Sequence, residues 1–169
     1  MMGTKFIYER TGAGLFNCAF RSTKDISSKG GYLFAWMMDA LMVGIGVGFD
    51  TLGAGTLTIS EPQWTNDIHM IEDSREGWVN SVHLLLDGYF MGKKVPQFDY
   101  SLIRGPGEPI KGFGGTSSGP DPLVELHKNL KELYSDKIGE EITSVDIVDT
   151  ENLIGRQLWH LDKPRIVNI

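Results

Sequence analysis

A single cysteine, Cys18, is all the thiol that 169 residues contain. That excludes an internal disulfide framework and a cysteine-rich metal site. The four histidines, His69, His83, His127 and His160, are scattered, with no carboxylate or cysteine at metal-ligand spacing. They read as structural or exposed side chains. No run is apolar for long enough to span a bilayer, and no signal-peptide pattern opens the chain. Basic residues number 16 against 22 acidic ones, and the net charge of −6 argues against a broad nucleic-acid-binding face. Internal repeats and low-complexity segments are also missing. These absences leave a soluble cytoplasmic protein long enough for one ordinary domain.

Glycine is what the chain has in excess, with 21 residues that cluster. The densest cluster lies within Phe98–Leu123, FDYSLIRGPGEPIKGFGGTSSGPDPL. This run begins as a short strand, breaks at Arg104-Gly105-Pro106-Gly107, passes from Gly112 to Pro120, and ends where Asp121-Pro122 opens a helix. Glycines and hydroxyls ahead of a helix start leave backbone N–H groups free, with no side chain to hinder a ligand. By composition alone the run reads more readily as a solvated crossover loop.

Strand and helix patterns alternate elsewhere. Gly14–Phe20 predicts a short buried strand. Ser28–Met42 predicts a helix with Tyr32, Leu33, Trp36, Met37, Ala40 and Leu41 on one face. Ile45–Phe49 predicts a second strand, so the order is that of a parallel α/β unit. Thr56–Ile59 reads as another strand and Glu61–Glu72 as irregular chain. A helix then opens at Asp73-Ser74-Arg75-Glu76, with Ser74 as its N-cap, and ends near Gly88 or Gly92. Leu123, Leu126, Leu130 and Leu133 stripe the next helix. The last helix covers roughly Ser144–Leu158, and Pro164 would stop any helix in the tail.

Three features carry chemistry, each with a plainer reading. Cys18 on a buried strand is, by itself, a small hydrophobe. Gly46-Val47-Gly48-Phe49 lets a helix pack closely, and an isolated G-x-G signal is weak. Arg104 in its turn is a surface arginine. Taken together with Asn17-Cys18-Ala19-Phe20 and the glycine-rich run, however, they resemble the catalytic barrel of the ribonucleotide reductases. The run Glu72-Asp73-Ser74-Arg75-Glu76-Gly77-Trp78 resembles the monomeric, adenosylcobalamin-dependent ribonucleoside-triphosphate reductases in particular. The resemblance covers about Thr4 to Arg156.

It implies an α/β fold: a partial ten-stranded α/β barrel over residues 1–156, with an inserted helical segment at about 50–97 and a divergent tail at 157–169. Implied with it are adenosylcobalamin as cofactor, a ribonucleoside triphosphate as substrate, a deoxynucleoside triphosphate as allosteric effector and a thioredoxin-like reductant. Neither nucleic acid nor a membrane is an implied partner. Cys18 takes the place of one of two redox cysteines, and Asn17 and Gly46 lie where the family meets its substrate. Asp25 and Ser27 fall near the effector's sugar and base, and Arg104 and Ile110 along its phosphates and base. Arginine suits phosphate because its planar fork donates two hydrogen bonds at once. The family's radical-bearing cysteine, second redox cysteine, effector-to-substrate loop and C-terminal cysteines have no counterpart here. The resemblance therefore implies a piece of a split or truncated reductase, inactive alone and in need of a complementing fragment. The competing expectation is a non-catalytic nucleotide-binding or interaction module, and a glycyl-radical reductase fits the Asp73–Trp78 run less well.

Overall fold

Two strand–helix–strand crossovers organise residues 18–99. The structure, a computed structural model, describes residues 18–109 and 116–161, with side chains described as far as Leu158. In the first crossover, β1 (Cys18–Arg21) leads through α1 (Ile26–Lys29) and α2 (Tyr32–Met42) to β2 (Gly46–Phe49). The two strands pair in parallel, Cys18 opposite Gly46 and Phe20 opposite Gly48. In the second, β3 (Gln63–Met70) leads through α3 (Arg75–Met91) to β4 (Lys94–Asp99), again parallel, with a bulge between Trp64 and Ile68. Two further helices follow, α4 (Asp121–Ser135) and α5 (Ser144–Leu161).

The apolar stripes of four helices meet in one core. Leu33, Phe34 and Met38 come from α2, and Val82, Leu85, Leu86, Tyr89 and Phe90 from α3. Leu123, Leu126, Leu130 and Tyr134 come from α4, and Ile147 and Ile154 from α5. Leu133, at the margin of the α4 stripe, is only partly buried. A smaller cluster of Ala40, Val43 and Ile45 packs with Ala19 and Val47 beneath the β1–β2 pair.

Helix ends follow local chemistry. The Ser74 hydroxyl accepts the Gly77 N–H at 3.0 Å, the N-cap that the sequence predicts. Gly92 ends α3 at φ 61°, in the left-handed region that favours glycine. At the start of α5, Thr143 and Asp146 cap reciprocally. The Thr143 N–H donates to the Asp146 carboxylate at 2.8 Å, and the Asp146 N–H donates to the Thr143 hydroxyl at 3.2 Å.

The structure departs from the sequence expectation in several places. The strand expected to be buried over Gly14–Phe20 is described only from Cys18, and there alternate residues, Cys18 and Phe20, are exposed because only one face of the β1–β2 pair is covered. The helix expected over 28–42 is two helices, broken at Gly30-Gly31. Gly30 sits at φ 54°, and a Cβ there would lie 2.5 Å from the Asp87 carboxylate oxygen. Thr56–Ile59 is no strand but a single antiparallel bridge, Thr58 to Glu141. The segment read as irregular holds β3, whose Thr65-Asn66-Asp67 centre and mostly exposed side chains give no inward alternation to detect. Finally, α5 does not stop at Leu158 but runs to Leu161.

The break at Gly30-Gly31 fits onto α3 through Asp87, whose side chain is only 7 % exposed. Its carboxylate accepts the Gly31 N–H at 2.8 Å and the Lys93 ammonium at 2.8 Å, and the His83 ring nitrogen lies 3.3 Å away. Burial pushes this carboxyl up, but the bonds from His83, Lys93 and the Gly31 N–H outweigh it and hold it at about 2. A folded value below the unfolded one gives stability that is present above pH ~4 and is lost as pH falls towards 2. Asp87→Asn should therefore lower unfolding free energy at pH 7 by about 2 kcal/mol. Denaturant titrations between pH 2 and 7 should also show a flatter acid limb for the variant than for the wild type.

Candidate functional site

Alternation along β1 and β2 gives their sheet two unlike faces. Ala19 and Val47 point to the small core under the sheet. Cys18, Phe20, Gly46 and Gly48 lie on the other face, where Cys18 is exposed and Phe20 is 63 % exposed. Register thus sets the one thiol directly beside a glycine, which carries no side chain to stand over it. Asn17, the other substrate candidate, lies outside the described residues.

The loops leaving the C-terminal ends of these strands are pinned together. The Thr23 N–H donates to the Asp50 carboxylate at 2.8 Å, and the fully buried Thr23 hydroxyl accepts the Gly53 N–H at 3.0 Å. Slight burial pushes the Asp50 carboxyl up, but hydrogen bonds from Thr23, Ser22 and Leu52 outweigh this and hold it below the ordinary carboxylate range. Ligands of open α/β sheets bind beyond this end of the strands. Asp25 follows at the N-cap position of α1 and Ser27 lies on that helix. Asp25 is half-buried and faces Lys29 across 3.9 Å, an exposed pair worth little, while Ser27 is exposed.

Arg104 sits elsewhere. Its Nε donates to the Asp73 carboxylate at 2.6 Å and its Nη1 to the Pro109 carbonyl at 2.9 Å. The turn that carries it is folded on itself. The Gly105 N–H donates to the Glu108 carboxylate at 3.0 Å, and the Gly107 N–H donates to the Ser117 carbonyl at 2.8 Å. Ile110 and the glycines from 112 to 115 lie outside the described residues. Asp73 precedes the first turn of α3, whereas Asp87, which holds the Gly31 N–H, is near its last. At 1.5 Å per residue those positions are about 20 Å apart. Cys18 and Gly46 are brought together; Asp25 and Ser27 are near one end of α3 and Arg104 is at the other.

His127, one of the histidines expected to be structural or exposed, is structural, and the sequence reading did not anticipate its partners or the burial of Glu151. His127, 1 % exposed, bonds the Ser81 hydroxyl at 3.1 Å and the Tyr100 hydroxyl at 2.7 Å. Burial, with a smaller contribution from the Lys131 charge, drives its ring down to about 3, so it is neutral at pH 7. Glu151, 5 % exposed, has no hydrogen-bond partner for either carboxyl oxygen among the described residues, and burial pushes it up to about 9. Helical period was the available signal: His127 lies on the Leu123–Leu126–Leu130 stripe and Glu151 on the Ile147–Ile154 stripe.

Because Gly46 leaves its face bare, the native Cys18 thiol should react with a chromogenic disulfide within about threefold of its rate in the unfolded chain. Gly46→Val should slow that reaction by about tenfold by covering the neighbouring position. A native thiol as slow as a core cysteine would contradict this geometry.

Comparison with known proteins gives the same family from three directions. The family model for the insertion domain of B12-dependent ribonucleotide reductases matches residues 51–134. A probable adenosylcobalamin-dependent ribonucleoside-triphosphate reductase of Dictyostelium discoideum is 48 % identical over 161 residues, covering 85 % of this chain and 21 % of that protein. The adenosylcobalamin-dependent ribonucleoside-triphosphate reductase of Euglena gracilis is 46 % identical over 145 residues, covering 85 % of this chain and 20 % of the relative. The crystal structure of a B12-dependent, class II ribonucleotide reductase superposes with a TM-score of 0.73 at 28 % identity, over 94 % of this chain and 29 % of that one. The chain thus spans about a fifth of the length of these curated relatives. It belongs to the adenosylcobalamin-dependent ribonucleotide reductases, of which it carries part of the α/β barrel and insertion-domain sequence.

Proposed function

We propose that this chain acts as one part of a cytoplasmic adenosylcobalamin-dependent reductase that converts ribonucleoside triphosphates to deoxyribonucleoside triphosphates. The observation that carries the proposal is the register of Cys18 against Gly46 on an exposed sheet face. A redox thiol must reach both the ribose and a partner sulfur, and bare backbone beside it lets a sugar come close. In this reading Cys18 supplies one of two electron-donating thiols, and Gly46, with Asn17, forms part of the substrate floor. The second thiol and a thioredoxin-like reductant come from outside the chain.

Arg104 is the phosphate-binding group of the effector site in this reading, with Ile110 beside it. Its ion pair with Asp73 then acts as a resting contact that a triphosphate displaces. Asp25 and Ser27 belong to the same proposed site only if the bound nucleotide, or chain beyond the described residues, bridges the length of α3.

Adenosylcobalamin does not fit the described residues. Among the described residues one groove of about 410 Å³ lies between α4 and α5 and another of about 260 Å³ beside the start of α3, and Cys18 lines neither. Both are small for a corrin with its nucleotide and adenosyl arms. The cofactor's seat is therefore assigned to other parts of the reductase, and no step is drawn through it here. Among the described residues, unpaired strand edges and exposed Phe20, Leu52, Trp64 and Ile68 support the need for a complementing fragment.

Deoxyadenosine triphosphate should bind the folded chain saturably in calorimetry, and Arg104→Ala should weaken binding about tenfold or more. A folded sample that takes up no nucleotide would overturn the effector assignment. Mixed with the remainder of a relative's chain, the protein should restore ribonucleotide reduction, and Cys18→Ser should abolish turnover. Equal turnover by the serine variant would remove Cys18 from the chemistry.

A further inference from the structure

We propose that His127 is a positioning residue for the loop that carries Arg104, acting through the hydroxyl of Tyr100. This rests on the reading of Arg104 as the phosphate-binding group.

Hydrogen-bond direction is fixed from the far end. The Ser81 hydroxyl donates to the Trp78 carbonyl at 2.7 Å, which uses its only proton. Its lone pairs are left for His127 Nε2 at 3.1 Å, so that nitrogen carries the imidazole proton. The ring is neutral and Nδ1 is a bare acceptor, to which the Tyr100 hydroxyl donates at 2.7 Å. Burial pushes the Tyr100 phenol up to about 12, which keeps that proton in place. The Phe98 ring, 4.7 Å away between centroids, closes over the imidazole. Three donors therefore point one way, from the loop base into α3.

Tyr100 is where the loop leaves β4. Its carbonyl accepts the Ile103 N–H at 3.0 Å, and Ile103 is buried in the core, 6 % exposed. Arg104 comes next. Among the described residues, the loop's polar ties to the helical layer are the Tyr100–His127 bond and the Arg104–Asp73 pair, while the bonds of Ser101 and Gly105 stay within the loop. A phosphate that draws Arg104 off Asp73 removes the second tie. The Tyr100–His127 bond then remains to hold the loop base, so ordering the loop costs the ligand less.

Three variants separate positioning from packing. Tyr100→Phe deletes one hydroxyl. In His127→Asn the side-chain oxygen reaches the place of Nδ1 and can still accept from Tyr100. In His127→Gln the amide reaches the place of Nε2 and keeps Ser81 instead. Amide exchange should quicken about tenfold at Ile103 in Tyr100→Phe and His127→Gln, with α3 and α4 amides unchanged as the check on folding. His127→Asn should keep the loop close to wild type. Deoxyadenosine triphosphate affinity should follow the same order, and nitrogen chemical shifts should place the His127 proton on Nε2. Unchanged loop exchange in Tyr100→Phe, equal loosening in both histidine variants, or a proton on Nδ1 would each overturn the proposal. A loosened loop in a protein that binds no nucleotide would sustain the positioning role and sink the effector reading. Nucleotide binding that Arg104→Ala weakens but Tyr100→Phe leaves alone, with unchanged loop exchange, would do the reverse.

Discussion

Asp87 is the carboxylate through which the two crossovers meet. It lies on α3, in the second unit, yet it accepts the backbone N–H of Gly31, in the first. Because Gly30 occupies a backbone region closed to most side chains, the chain can turn sharply there and let α2 lie back along α3. At the far end of that pairing Arg75 approaches Asp39 at 3.3 Å, so the two helices are held by charge at both ends. Burial pushes the Asp39 carboxyl up, Arg75 pulls it back only in part, and the exposed pair is the weaker clasp. The sheet that carries Cys18 is positioned by α2, and the turn that carries Arg104 is fastened beside the start of α3. Both proposed sites therefore take their bearings from one helix pair.

Much of this was legible in the sequence where local chemistry decides the outcome. Ser74 and Gly92 bound α3 because an N-cap hydroxyl and a left-handed glycine do the same work in any fold. The leucine stripe of α4 was legible because burial imposes a period of 3.6 residues. Where the outcome depends on distant chain, the sequence was silent. Nothing near Gly30 announces Asp87, 57 residues on, and Ser28-Lys29 before the glycine pair reads as the lead-in to the apolar helix after it. β3 was hidden for the opposite reason. Its side chains face solvent on both sides of the strand, so its identity rests on backbone pairing with β4.

The candidate site was legible unevenly. Cys18 and Gly46 stood out through family resemblance, and only the parallel register makes them neighbours. Arg104 was singled out by the same resemblance, but its carboxylate partner was not, because Asp73 is 31 residues away and reads as part of a helix start. His127 was set aside with the other histidines. A histidine on an apolar stripe is a sign of a satisfied internal hydrogen bond, and here it has two.

The two faces of the β1–β2 sheet fix which way a complete barrel would have to curve. Parallel barrels keep their crossover helices outside and their strand side chains in an inner ring. Here α2 and its small cluster already cover the face of Ala19 and Val47. Strands added at either edge would bend around the other face, and Cys18, Phe20, Gly46 and Gly48 would line the lumen. The single thiol of this chain, open to water here, would then be enclosed in the assembled barrel.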